Sequence, residues 1–301
     1  MDFFLQQLTN GLAVGSIYAL IALGYTMVYG VLKLINFAHG DLFSIGAYLG
    51  LTLLTTFGLA RHVGPLGVVM LLVVMVMGLV AVVGAMLERV AYRPLRQAHR
   101  LSAVVSAMGA SIFFQNALML AYGAHYRVYP HDILPQTAVS FMGFDIPLVR
   151  LLILLTSLLM MIGLYLFIQK TRIGTAIRAA AIDQRAARLM GINVDRVIMV
   201  VFIIGPALGG AAGLMVGLYY GQINFTMGWM YGLKAFTAAI IGGIGNIPGA
   251  MVGGLLLGLI EAMGAAYISI AWRDAITFGV LIAILIFRPT GLLGERVAGK
   301  V

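Results

Sequence analysis

From Pro65 to Leu87 the chain reads PLGVVMLLVVMVMGLVAVVGAML, without one charged side chain. A helix apolar on every side has no wet face, so it belongs in a large protein core or in a bilayer. Stretches of similar character recur at 8–30, 41–59, 101–123, 147–169, 197–220 and 249–271. About 20 apolar residues in a helix cross a hydrocarbon core. Two shorter stretches, 229–243 and 274–287, bring the expected number of spans to eight or nine. Lipid offers the backbone no hydrogen-bond partner, which restricts spanning segments to helices or closed barrels. The expected fold is therefore all-α, a polytopic transmembrane helix bundle forming one domain over 1–301. Only 10% of the residues are charged, against about 25% in a soluble domain.

The net charge of +9 would suit a nucleic-acid binder, but its placement argues for lipid instead. Fourteen of the 19 Lys and Arg residues fall in 31–40, 88–100, 170–196 and the tail from Arg288. Such clustering between spans is the positive-inside pattern. It sets these loops in the cytoplasm, with the N-terminus outside and the C-terminus inside. The first basic residue is Lys33 and the first apolar stretch is long enough to span, which argues against a cleavable signal. With no cysteine there is neither a disulfide nor a thiolate metal site.

The loop 170–196 is the one polar insertion with structure of its own. RAAAIDQRAARLMGINVD, from Arg178 to Asp195, reads as a short helix. Thr175 is its expected N-cap, and Gly191 with Asn193 its stop. Ile182, Ala186 and Leu189 would share one face, with Arg178, Arg185 and Arg188 reaching water or another protein. An amphipathic connector on the membrane surface and a docking element fit this pattern equally. On the outer side, 124–146 is broken by Pro130 and Pro135. It is either a plain connector or a surface for an external partner.

Glycines at 205, 209, 213, 217 and 221 repeat every four residues and make a helix-packing stripe. Gly245, Gly249 and Gly253 repeat the spacing one segment later. The run IGGIGNIPGA, 241–250, is too rich in glycine for regular helix. It is either a re-entrant break or a turn into the next span, the turn being preferred. Within KLINFAHGDLFSIGAYLG, 33–50, Asn36, His39 and Asp41 mark either a capped helix start or a broken one facing a ligand. They are too few for a metal site. Glu261 lies inside an apolar span, where a carboxylate faces the bundle interior. It either pairs, with Lys234 or a hydroxyl, or touches substrate; Lys234 itself could snorkel at the outer interface. Asn36, His39, Asp41 and Glu261 are thus the substrate-path candidates. Gly294 to Lys300 copies a phosphate-loop outline but lacks the following Ser or Thr and helix. No catalytic constellation and no metal or cofactor site is expected.

GLAVGSIYALIALGYTMVYG at 11–30, INFAHGD at 35–41, ERVAYRPLR at 88–96 and RLSAVVSAMGASIFFQN at 100–116 form an ordered series. It continues with RIGTAIRAAAIDQRAARLMGINVDRV at 172–197, GLKAFTAAIIGGIGNIPGAMVGGL at 232–255 and RPTGLLG at 288–294. The series resembles the branched-chain amino acid permeases of bacterial ABC importers, LivH-type, over nearly the whole chain. The resemblance implies a multi-pass protein of the bacterial inner membrane that translocates leucine, isoleucine or valine. It implies a second related permease, two cytoplasmic ATPase subunits that bind the ATP, and a periplasmic amino acid-binding protein. It also implies that Arg185, Ala186, Ala187 and Gly191 match the ATPase-coupling pattern, with Arg185 where the general pattern has Glu. Permeases for urea, short amides or other amino acids share the family. A stand-alone ion-coupled carrier would explain Glu261, though not the Arg/Ala helix.

Overall fold

A computed structural model of the chain describes residues 2–57, 65–96, 98–130, 138–141 and 144–294. Eleven α-helices account for most of it: α1 Asp2–Leu32, α2 His39–Phe57, α3 Pro65–Leu87, α4 Arg100–Tyr122, α5 Leu148–Lys170 and α6 Arg172–Ile182. The series continues with α7 Gln184–Leu189, α8 Val194–Tyr220, α9 Met227–Gly242, α10 Ile247–Tyr267 and α11 Arg273–Phe287. Seven helical segments are long and apolar enough to cross a membrane, and α2 and α9 fall outside that set. The expected loop 88–100 is mostly helical. A π-turn, Glu88–Tyr92, and a 3₁₀ turn, Arg93–Leu95, extend α3, and Pro94, which has no N–H to give, sits within the second turn.

Helix exposure sorts the bundle into an inner and an outer layer. The apolar stretch of α1 is 94% buried, whereas that of α11 is 6% buried. Val74 on α3, Leu120 on α4 and Ile286 on α11 stand exposed. Apolar surface of this extent on helices of spanning length is the surface that lipid covers.

Two sets of contacts define the ends. At one end Gln184 Nε2 donates to the Val31 carbonyl (2.6 Å) and Asn246 Nδ2 to the Leu293 carbonyl (2.8 Å). The loops of basic residues gather there. At the other end Tyr219 donates to Asn10, Arg273 to Tyr220 (3.3 Å), and Arg127–Val128 (β1) pairs antiparallel with Gln222–Ile223 (β4). A hairpin of Ala138–Phe141 (β2) and Phe144–Pro147 (β3) also lies there. These strands were not expected. Backbone outside the helices still needs hydrogen-bond partners, and short ladders supply them. Pro135, Arg61 and the phosphate-loop outline after Gly294 lie outside the described residues.

Small residues set the helix separations. Gly213 leaves room for the Phe43 carbonyl of α2, and Gly217 for the ring of Tyr129. Gly205 and Gly209 are looser, with a Cβ there 3.3 Å from the Gly24 carbonyl and 3.4 Å from the His39 ring. Gly221 departs from the stripe: at φ +70° it is the left-handed C-cap of α8. Gly245 departs likewise, at φ +96° with no atom near its Cβ position. The run 241–250 is a turn, in which Asn246 caps α10 by accepting from Gly249 N–H (2.9 Å). The most extensive helix contact, α1 with antiparallel α10, rests on Gly11 and Gly15 facing Gly254 and Gly258. That pairing went unread in the sequence because its glycines belong to two segments far apart.

Candidate functional site

The basic insertion expected as one helix is a pair. Thr171, not Thr175, caps α6, its Oγ1 accepting from Gly174 N–H (3.0 Å). Thr175 lies inside the first turn, where its hydroxyl returns to the Thr171 carbonyl (3.2 Å). The chain then extends at Asp183, whose carboxylate accepts from the N–H groups of Arg185 (2.7 Å) and Ala186 (3.1 Å) and so starts α7. Aspartate competes for backbone donors in just this way, which is why it divides a helical run. Gly191, at φ +83°, turns the chain out of α7, its N–H donating to the Arg188 carbonyl (3.0 Å).

Within α7 the two alanines face different neighbours. Ala187 is buried in the chain itself, at 4% exposure, while Ala186 is exposed. Ile182 (87%), Leu189 (88%) and Met190 (82%) project outward around it, and Arg185 is exposed beside them. Ile182 closes α6 and Leu189 closes α7, so they belong to two helices rather than one face of one helix. The pair is held firmly beneath this tip. Gln184 fixes it to the end of α1. Arg188 lies 4.0 Å from Asp195 at the start of α8, and Arg96 bonds both Asp195 and the fully buried Glu88. A cleft of about 660 Å³ opens beside α7, lined by Leu34, Tyr92, Arg93, Gln184, Arg185 and Arg188.

Asn36, His39 and Asp41 are all buried, yet they do not share a site. Asn36 Oδ1 accepts from Ala38 N–H (3.1 Å) and from the Tyr92 hydroxyl (2.9 Å). His39 Nε2 donates to the Ile21 carbonyl (3.2 Å), with the Tyr25 ring edge-on at 4.7 Å. Asp41 turns toward α4, accepting from Gln115 Nε2 (3.0 Å) and from Ser111. The segment is a capped helix start in an unexpected place. Ile21 lies eleven residues before the end of α1, so α2 begins roughly 16 Å inside the basic end. Its three polar residues stitch that internal start to three other elements.

Glu261 joins a charged cluster at the other end of the bundle. Its Oε1 accepts from Lys234 Nζ (2.9 Å) and the Tyr18 hydroxyl (3.1 Å), and pairs with Arg273. Lys234 also meets Asp274 (2.7 Å) and is buried, so it does not snorkel. The other carboxylate oxygen of Glu261, Oε2, is buried without a hydrogen-bond partner among the described residues. Glu261 and Arg273 line an open cleft of about 460 Å³ together with Asn10, Tyr220, Ala266 and Ile270. Arg273 was counted in the sequence only as a basic residue at a span edge, because nothing local shows that it meets Glu261.

Residues 7–285 match the family described as branched-chain amino acid transport system / permease component. The chain is 47% identical to the high-affinity branched-chain amino acid transport system permease protein BraD of Pseudomonas aeruginosa, over 99% of this chain and 98% of that one. It is 42% identical to the permease protein LivH of the corresponding Escherichia coli system, again over 99% and 98%. A probable branched-chain amino acid transport permease protein LivH of Methanocaldococcus jannaschii is 29% identical over 95% of this chain. No solved structure matches. A matched region that spans nearly every helix of the bundle places this chain in the branched-chain amino acid transport system permease family.

Proposed function

We propose that this chain is the membrane-spanning, non-catalytic permease subunit of an ATP-driven importer for leucine, isoleucine and valine. The observation that carries the reading is the α6–α7 pair. It presents Ile182, Leu189 and Met190 exposed at the basic end, with α7 tied to α1 through Gln184 and to α8 through Arg188. Apolar side chains held rigidly in that position are what an ATPase subunit would grip, and the ties below them carry its movement into the spans. The names of the BraD and LivH relatives supply the substrate class.

In this reading the basic end and the C-terminus face the cytoplasm. The partners are a second related permease, two ATPase subunits and an extracytoplasmic binding protein, which delivers the amino acid at the end carrying Glu261. ATP binding and hydrolysis in the partners bias the permease between two states by contacting α7 differently in each. The pairing of Glu261 with Lys234 and Arg273 disfavours a stand-alone proton-coupled carrier, whose carboxylate would have to gain and lose its proton freely.

The test is reconstitution of the chain with its neighbouring permease and ATPase subunits in liposomes, with leucine-loaded binding protein outside. Leucine uptake that needs internal ATP is the expected result. Uptake driven by a proton or sodium gradient without ATP would overturn the reading.

A further inference from the structure

We infer that the 460 Å³ cleft beside Glu261 is a binding subsite for the head group of a zwitterionic α-amino acid, on the permease itself. This rests on the importer reading and adds to it a place where the chain recognises its substrate. The cleft lies at the end opposite α7. Glu261 is six residues from the end of α10, so its floor is roughly 9 Å below that end.

Three features of the cleft fit a zwitterion. The first is the imbalance at Glu261, where Oε1 holds Lys234, Tyr18 and Arg273 while Oε2 is buried and unpartnered. A buried carboxylate oxygen without a donor is costly, and an α-ammonium group would satisfy it once a small shift of the cleft floor uncovers it. The second is Arg273, whose side chain is one-third exposed, with Nε against Glu261 and Nη2 donating to the Tyr220 hydroxyl (3.3 Å). A guanidinium has five N–H donors in a planar fork, leaving some to meet an α-carboxylate. The third is charge. Glu261 and Asp274 against Lys234 and Arg273 make the cluster neutral, so a zwitterion adds no net charge to it. A free anion or cation would unbalance it. Phe3, Val14, Ala266 and Ile270 supply apolar wall beside the charged floor, where a short aliphatic side chain can lie.

The test uses the complex of both permeases and the ATPase subunits in nanodiscs, without binding protein, and measures equilibrium binding of radiolabelled leucine. On the unaltered complex, leucinol lacks the carboxylate and 4-methylpentanoate lacks the ammonium. Each is expected to compete at least about tenfold more weakly than leucine, the cost of one charge-assisted contact. Arg273→Gln and the cleft-filling Ala266→Phe are each expected to weaken leucine binding by about tenfold or more. Since analogue competition needs no substitution, a variant that fails to fold leaves the proposal testable. Leucinol or 4-methylpentanoate competing as well as leucine overturns it, as does wild-type binding in both folded variants. If ATP-driven leucine uptake persists in those circumstances, the importer reading stands and only the cleft is refuted. Absence of uptake in the unaltered complex removes the importer reading and this proposal with it.

Discussion

Leu189 and Ala187 lie two residues apart in α7, and the structure assigns them opposite consequences. Leu189 is 88% exposed and touches little of its own chain. Trimming it to alanine should leave the stability of the isolated permease within about 0.5 kcal/mol, as for most surface positions. If Leu189 is covered by an ATPase subunit, the same change removes about three carbons from a buried contact. At about 0.8 kcal/mol each that is about 2 kcal/mol, or about thirtyfold in affinity. Ala187 is 4% exposed, and its carbonyl accepts the N–H of Ile192 where the chain leaves α7. Enlarging it to Leu overfills the space beneath the helix at a cost of about 1–3 kcal/mol to the permease itself. Two measurements separate these effects: thermal melting of the purified permease by fluorescence-detected gel filtration, and titration of the ATPase subunit onto it. Leu189→Ala should lower ATPase affinity with melting unchanged, and Ala187→Leu should lower the melting temperature. Unchanged ATPase affinity and full leucine uptake in Leu189→Ala would refute docking through this tip. Ala187→Leu melting as wild type would refute the assignment of Ala187 as an internal packing position.

Further outcomes follow from particular contacts. Gly213→Val should abolish a monodisperse chain, because its Cβ would occupy the position of the Phe43 carbonyl. Gly209→Ala, with its Cβ at 3.4 Å from the His39 ring, should shift the melting temperature by less than about 3 °C. Lys234→Met removes one of the two cations on Glu261, leaving Arg273, and should cost about 1.5–3 kcal/mol. Adding Glu261→Gln to it should restore part of that loss in the same melting assay, since the buried carboxylate that has lost one of its two cations is then neutral. Asp183→Ala removes the cap of α7 and about 1 kcal/mol of helix stability. Because α7 is a surface element, ATPase binding should weaken while the melting temperature of the permease holds.

How much of this was legible in the sequence follows from the range of each interaction. Membrane spans are local in origin: a run such as 65–87 must be helical in lipid whatever surrounds it, and α3 begins and ends on those residues. The clustering of Lys and Arg likewise marked the loops that meet at one end. Gly191 was legible as a helix stop because left-handed backbone strongly favours glycine. Thr175 and Asp183 were misread, since either of two neighbouring threonines can cap and an aspartate can sit within a helix or divide it. Only the surrounding packing chooses.

Depth and pairing lay beyond any local rule. That α2 starts inside the bundle depends on His39 reaching the Ile21 carbonyl and Asp41 reaching α4, contacts between segments 18 and 70 or more residues apart. Glu261 announced itself as a carboxylate in an apolar span, and Lys234 was a natural partner. Arg273 and Asp274 joined them only when α9, α10 and α11 came together, leaving one oxygen of Glu261 without a hydrogen-bond partner among the described residues. The glycine faces show the same division. Spacing by four identified a close-packed side of α8, but the neighbours that fill it, and the α1–α10 contact through Gly15 and Gly258, exist only in the folded bundle. By itself, then, the sequence determined that this chain lies in a membrane, which loops share a side and which insertion is structured. The tertiary structure decided which alanine of α7 is offered outward and which charges meet. The first set follows from backbone hydrogen bonding and solvation residue by residue, and the second from contacts that exist only once distant helices pack.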